Sequence, residues 1–161
     1  MIHGNRISMR TFIVTLLTLF VLAVPANAMP PNVDGLIVKP SKHTVAKTLD
    51  RLERLLKQKG LTVFARVDHM AGGRRAGKKL RPTQVLIFGN PKLGTPLMQS
   101  ARTAGIDLPM KALAWQDETG KTWLAYNDPA YLAKRHGIAG RAVVLQKMSG
   151  ALKALTDKAT E

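Results

Sequence analysis

The sequence predicts an α+β fold, in which helices pack against a β-sheet. Three features of the chain support this prediction. The apolar run at residues 85–88 lies between turn residues and is typical of a buried strand. Apolar residues recur every three or four positions from 45 to 56, which indicates an amphipathic helix. The segments 110–116 and 122–127 flank a short turn that ends in glycine, which indicates a β-hairpin.

The chain is organised around residues 81–104, which predict a strand, a turn and a helix. The run 85–88 is continuously apolar rather than alternating, so we expect a central strand that is covered on both faces. The turn 89–91 ends this strand, because its proline cannot donate to a β-ladder. Thr95 followed by Pro96 predicts the N-cap and the first residue of the next helix.

The chain before this stretch predicts two strands and two helices. Residues 35–39 form a short strand, and Ser41 is the candidate cap of an amphipathic helix that ends at a glycine. Residues 61–69 alternate in polarity and predict a strand in which His69 extends an apolar face. Residues 70–79 predict a short and weak helix, because glycines inside a helix are unfavourable.

The chain after this stretch predicts the hairpin and two further helices. Trp115 and Trp123 lie on the two strands of the hairpin, and we expect them on its paired faces. Asp128 followed by Pro129 predicts the start of a short helix. Residues 142–158 carry an apolar stripe and predict a final helix. The sequence contains no evident internal repeat.

Residues 1–28 predict a secretory signal peptide. Arg6 and Arg10 form a basic start, residues 11–24 form an uncharged apolar run, and Ala28 completes a small-residue cleavage site. An uncleaved anchor fits less well, because the apolar run is short for a membrane span. We therefore expect an exported protein, periplasmic or secreted, after cleavage near Ala28.

The chain is strongly basic. Its formal net charge of +15 falls to +13 if the two arginines of the signal segment are removed. For an exported protein this charge favours an anionic envelope surface as a neighbour, and we expect no nucleic-acid partner. The basic residues between 74 and 79 have no aromatic side chains among them on which bases could stack. The chain has no cysteine, which excludes disulfides and thiol chemistry.

The chain also carries an ordered set of short motifs. These are Asp68-His69, Gly77, LRPT at 80–83, IFGNP at 87–91, Gly94-Thr95, Leu97-Met98, IDLP at 106–109 and YNDP at 126–129. As a set they resemble the family called domain of unknown function 302. The resemblance covers residues 35–138, between a short lead at 29–34 and a helical extension at 139–161. It implies a two-layer α/β sandwich with a mixed, largely antiparallel curved sheet, and a homodimer. It implies no established reaction, substrate or cofactor.

Catalytic and metal-binding motifs are absent from the sequence. The turn at 89–94 superficially resembles a P-loop, but the lysine is missing and Pro96 stands where a magnesium-binding serine or threonine is needed. His43, His69 and His136 have no second ligand at a metal-binding spacing. There is no G-x-S-x-G nucleophile motif. We therefore assign no metal, no cofactor and no catalytic residue.

Polar residues lie at the predicted ends of strands and helices, where open α/β sheets bind ligands. His69 ends one strand, Asn90 follows another, and Thr95 opens a helix. Asp107 follows that helix, and Tyr126 lies near the end of the last strand. We predict that these five residues line one small polar cleft. We also expect the ring of His69 to point into the layer between the sheet and the helices.

Three functions fit these observations. The leading hypothesis is a non-enzymatic, exported binding or accessory module of the cell envelope that takes a small polar or anionic ligand. The alternative is a small-molecule enzyme in which His69 acts as general base and Asp107 orients it. The third is adhesion of the basic protein to an anionic surface, which added salt would weaken.

Overall fold

The computed structural model describes residue 1 and residues 32–161. The apolar run and the cleavage site of the predicted signal peptide lie outside the described residues. The elements in chain order are β1 (Leu36–Ser41), α1 (Val45–Gln58), β2 (Thr62–Asp68), α2 (His69–Arg75), β3 (Thr83–Gly89), α3 (Pro91–Ser100), a 3₁₀ turn (Arg102–Ile106), β4 (Met110–Gln116), β5 (Thr122–Asn127), α4 (Pro129–His136) and α5 (Ala142–Thr160).

The five strands form one antiparallel sheet in the order β1-β5-β4-β3-β2. β4 and β5 form the predicted hairpin, and β1 pairs with β5 at one edge of the sheet. The predicted α+β class is therefore confirmed. Within residues 32–161 every strand pair is antiparallel, so the parallel pairing expected of a mixed sheet is not found there.

Helices α1 and α5 pack on one face of the sheet and against each other, which gives the domain its two layers. α1 buries Leu49, Leu52 and Leu56 completely, as the helical spacing predicts. β3 contributes Leu86 and Phe88 to the same core, and both side chains are almost fully buried. The hydrophobic core thus lies between this face of the sheet and the two long helices.

The expectation that β3 would be covered on both faces holds for one face only. Val85 and Ile87, which alternate with the buried Leu86 and Phe88, are half-buried on the opposite face. A row of apolar residues crosses all five strands on that face, formed in register by Val38, Ala125, Leu113, Val85 and Val67. Antiparallel sheets commonly pack a core on one face only, so a continuous apolar run does not by itself predict two covered faces.

A β-bulge at Phe64 changes which residues of β2 face the helices. The register with β3 shifts between Val63 and Ala65. As a result Val63 shares a face with Arg66, whereas Ala65 and Val67 lie on the opposite face. The prediction of one apolar face running through the whole strand is therefore wrong, because a bulge inserts one residue into the alternation.

Two helices begin at residues other than the predicted ones. α1 begins after Thr44 rather than Ser41, because Ser41 still belongs to β1. α3 begins after Asn90 rather than Thr95, because the Asn90 side-chain oxygen accepts a hydrogen bond from the N–H of residue 92 at 2.9 Å. Thr95 therefore lies inside α3 instead of capping it.

The hairpin and α4 form as predicted. Trp115 and Trp123 are directly opposite each other across the ladder between β4 and β5. Asp117 in the connecting turn accepts a hydrogen bond from the indole N–H of Trp123 at 2.7 Å. Asp128 is the N-cap of α4, and Pro129 is the first residue of that helix.

α5, predicted as a C-terminal extension, packs against α1, β1 and α3. It contributes Met148, Leu152 and Leu155 to the core. The Lys39 ammonium donates to the Thr156 hydroxyl at 2.8 Å and so ties the edge strand β1 to α5. None of the helices described is both long enough and apolar enough to cross a membrane.

Candidate functional site

An apolar cavity of about 250 Å³ lies where α3 and α5 meet the ends of β3 and β4. Among the residues described, no charged side chain lines it, and Asn90 and Thr95 supply its polar side chains. The principal apolar lining residues are Leu61, Phe64, Phe88, Leu93, Met98, Leu108, Met110, Met148, Leu152 and Leu155. This composition suits an apolar ligand rather than an ionic one.

Local sequence features open this space between the elements. Phe88 is the last large side chain of β3, and Gly89 follows it without one. A Cβ atom at Gly89 would lie 3.3 Å from Cβ of Pro109, which is tighter than an ordinary contact. The bulge in β2 also brings the ring of Phe64 to this region, where the residue remains 54% exposed. The strand ends can therefore approach closely while an aromatic ring borders the cavity.

Three methionines line the cavity: Met98 from α3, Met110 from β4 and Met148 from α5. Met110 and Met148 are buried, so their side chains belong to the permanent wall of the cavity. Methionine is unbranched and flexible, and it adapts to ligands of different shape. The lining can therefore fit apolar groups of different shape.

Of the five predicted site residues, Asn90 and Thr95 line the cavity. Asn90 is held in place by capping α3, since its side-chain oxygen accepts the N–H of Lys92. Thr95 projects from α3 and is exposed. The cavity that they border is apolar, so the expectation of a polar cleft is wrong for this part of the molecule.

His69 does not lie where the strand pattern placed it. It is the first residue of α2 and is exposed, so its ring does not enter the layer between sheet and helices. The preceding Asp68 caps α2 by accepting the N–H of Ala71 at 2.9 Å. This hydrogen bond, with a further one from Gln84, lowers the pKa of the Asp68 carboxyl. The chain therefore turns into a helix one residue earlier than the alternation suggested.

Asp107 pairs with a different histidine from the one expected. Its carboxylate oxygen Oδ2 lies 2.7 Å from Nε2 of His136, at the end of α4. The other ring nitrogen of His136 lies 3.1 Å from the hydroxyl of Thr103. The Asp107 and His136 side chains are both buried, and Arg135 lies 3.5 Å from the same carboxylate oxygen. The predicted contact between Asp107 and His69 is replaced by a buried link between α4 and the 3₁₀ turn.

Tyr126 belongs to the core and is only 4% exposed. Its ring faces the helical layer, with the Lys39 ammonium 5.7 Å from the ring centroid. Burial raises the pKa of the Tyr126 hydroxyl. The residue does not line the cavity, and its position explains its role as packing between β5 and α5.

No metal-binding cluster of three or more histidine, aspartate or glutamate side chains occurs in the described part of the chain. The turn that resembles a P-loop instead forms the cavity wall and the start of α3. Sequence reasoning missed the cavity because its lining comes from residues as distant as 61 and 155. The one signal that it could have used is the concentration of methionine and proline around α3.

Comparisons with known proteins identify the type of domain. The sequence model of the family described as "Domain of unknown function DUF302" matches residues 37–155, which include most of α5. A crystal structure of an uncharacterized conserved DUF302 protein from Bacillus stearothermophilus superposes with a TM-score of 0.70 at 20% identity. The superposition covers 79% of this chain and 99% of that one, which establishes the shared fold.

Curated relatives come from Brucella. The chain is 54% identical over 104 residues to "Fluoride-specific ion channel FluC 1" of Brucella suis biovar 1 (strain 1330). That alignment covers 65% of this chain and 41% of the relative. "Fluoride-specific ion channel FluC 2" of Brucella melitensis biotype 1 is also 54% identical over 104 residues, and this alignment covers 38% of that relative. The chain thus spans less than half the length of these relatives.

Proposed function

The chain belongs to the family described as domain of unknown function DUF302, and we propose that it is a non-enzymatic binding domain of the cell envelope. Its ligand is a small apolar molecule, or the alkyl part of a larger one, held between α3 and α5. The single observation that carries this proposal is the cavity of about 250 Å³ with its uncharged lining.

The size of the cavity limits the ligand. A volume of about 250 Å³ corresponds to about eight liquid waters at roughly 30 Å³ each, so an alkyl chain of about eight carbons fits. Burying about eight methylenes at ~0.8 kcal/mol each supplies about 6 kcal/mol before the cost of association. That cost amounts to several kcal/mol, so binding through the cavity alone is weak and reversible.

The enzymatic alternative has lost its geometric basis. It required Asp107 to orient His69, and Asp107 is instead engaged by His136 at 2.7 Å. The cavity also has no charged side chain among the described residues that could transfer a proton. A binding role needs neither group.

Two lines of support favour an accessory role at the cell envelope. The signal-like segment at 1–28 favours export, and for an exported protein the high net charge favours anionic surfaces as neighbours. The Brucella relatives are named as ion channels, and about two fifths of each aligns with this chain. We therefore propose that this domain serves next to envelope components rather than acting as a channel itself.

We also propose that the domain forms a homodimer through the sheet face opposite to α1 and α5. The apolar row that crosses all five strands lies on this face, and Val67 at its edge is 41% exposed. Ala125 in this row is already buried, so joining two such faces would remove from water the parts that are still exposed, above all Val67.

The proposed function is tested by titrating 1-octanol into the purified protein in an isothermal calorimeter. We expect saturable binding with one site per chain and a negative heat-capacity change, which marks burial of apolar surface. Absence of binding, together with no small molecule in native mass spectra of the protein as isolated, would contradict the proposal.

A further inference from the structure

We infer that the ligand is an anionic amphiphile, whose alkyl chain enters the cavity and whose head binds a basic cleft beside it. This inference rests on the proposed function and narrows its ligand class. The cleft lies between α1 and α5 and is lined by Arg51, Arg54, Leu55, Gln58, Lys158 and Glu161.

The cleft and the cavity share no lining residue, but neighbouring stretches of the same two segments line them. On α5, Leu155 lines the cavity and Lys158, three residues further on, lines the cleft. On the α1 side, Gln58 lines the cleft, and Leu61, just after the helix, lines the cavity. One helical turn spans about 5.4 Å, so a head group in the cleft lies within reach of a short chain in the cavity.

The cations of the cleft are positioned to receive an anion. Arg51 already donates to the carbonyl oxygens of Lys158 at 2.7 Å and Ala159 at 3.2 Å near the end of α5, so an anion would depend chiefly on Arg54 and Lys158. Asp50, one helical turn before Arg54 on α1, pairs with Arg66 at 2.5 Å instead of with Arg54. Neither Arg54 nor Lys158 forms a side-chain ion pair with any described residue.

One acid faces these cations. Glu161 is the single carboxylate that lines the cleft within the described chain, against the three cations. The local balance is therefore positive, whereas the cavity next to it has no charged lining. A carboxylate or phosphate on a short alkyl chain matches both the cleft and the cavity, and a neutral or cationic amphiphile matches only the cavity.

The test compares three eight-carbon probes that differ in their heads: octanoate, 1-octanol and octylammonium. We expect octanoate to bind about tenfold more tightly than 1-octanol, and octylammonium to bind most weakly, as charge complementarity requires. The double variant Arg54→Gln/Lys158→Gln should bind octanoate and 1-octanol within about twofold of each other. The matched control Arg75→Gln/Lys79→Gln removes the same two residue types from an exposed region and should keep the full preference.

A further variant should strengthen octanoate binding instead of weakening it. Glu161→Gln removes the carboxylate from the cleft and should strengthen octanoate binding about threefold while leaving 1-octanol unchanged. Equal affinities of the parent protein for octanoate and 1-octanol would overturn the inference and leave the apolar cavity intact. Failure of all three probes to bind would instead overturn the proposed function. Octanoate binding that persists when the cavity is blocked, and that is lost when salt is added, would also overturn the inference. Such binding would come from ion pairing at the surface only.

Discussion

At the scale of single residues, a buried hydrogen bond of 2.7 Å between Asp107 and His136 links α4 to the end of the 3₁₀ turn. Removing the imidazole would leave the Asp107 carboxylate with Arg135 at 3.5 Å as its remaining charged neighbour. We expect His136→Ala to lower the free energy of unfolding by about 2 kcal/mol, because a buried charged acceptor loses its partner. Urea denaturation measures this change.

His69→Ala is the matched control for this substitution. His69 is exposed, so its loss should change the free energy of unfolding by less than about 0.5 kcal/mol. Equal free energies of unfolding of the two variants would show that the hydrogen bond between Asp107 and His136 does not stabilise the fold.

Asp117 provides a pH-dependent prediction at the same scale. Hydrogen bonds from the Trp123 indole, the Thr119 hydroxyl and backbone N–H groups hold the pKa of Asp117 at about 2, below its usual 3.8. A depressed pKa in the folded state contributes stability above pH 3.8, and that stability is lost as the pH falls through 2. Melting temperatures measured from pH 5 to pH 2 should therefore fall more steeply for the parent protein than for Asp117→Asn. Parallel curves would contradict the assignment.

At the scale of elements, the side chains of β3 point alternately to the two faces of the sheet. Leu86 is fully buried against the helices, so Leu86→Asp should prevent folding by burying an unpaired charge. Ile87 is half-buried on the opposite face, so Ile87→Asp should fold, with circular dichroism close to that of the parent. A folded Leu86→Asp protein, or an unfolded Ile87→Asp protein, would mean that the faces have been assigned the wrong way round.

The sequence predicted those elements whose signals are local. The hairpin and α4 form at the predicted residues because a turn glycine and an Asp-Pro pair each fix one backbone geometry. The starts of α1 and α3 were misplaced because each has two polar candidates within five residues, and Ser41 was drawn into β1. The bulge at Phe64 depends on pairing with β3, which alternation along one strand cannot reveal.

The candidate site was less predictable than the fold. Asn90 was found because it follows a strand end, which is also where the cavity opens, and Thr95 was found as the predicted start of a helix. Its apolar walls come from β2, α3, β4 and α5, and only tertiary packing brings these together. Likewise, sequence could propose a partner for Asp107 but could not choose between His69 and His136, which are 67 positions apart.

At the scale of the whole molecule, the sheet face opposite to the helices predicts the oligomeric state. If two copies join through it, the parent protein should be a dimer, and Ile87→Asp should be a folded monomer, since each interface would bury two new carboxylates. Light scattering during size-exclusion chromatography measures both masses. A dimeric Ile87→Asp protein would mean that the interface lies elsewhere. A monomeric parent protein would contradict the proposed homodimer.

The central claim is that the cavity between α3 and α5 is a binding site, and filling it tests the claim most directly. Ala151 lines the cavity, whereas Ala154 on the same helix is exposed and does not. In calorimetric titrations with 1-octanol, Ala151→Phe should weaken binding by at least about tenfold, because it displaces two or more methylenes worth ~0.8 kcal/mol each. Ala154→Phe should bind within about twofold of the parent, and both variants should remain folded. Unchanged binding by a folded Ala151→Phe protein would contradict the claim.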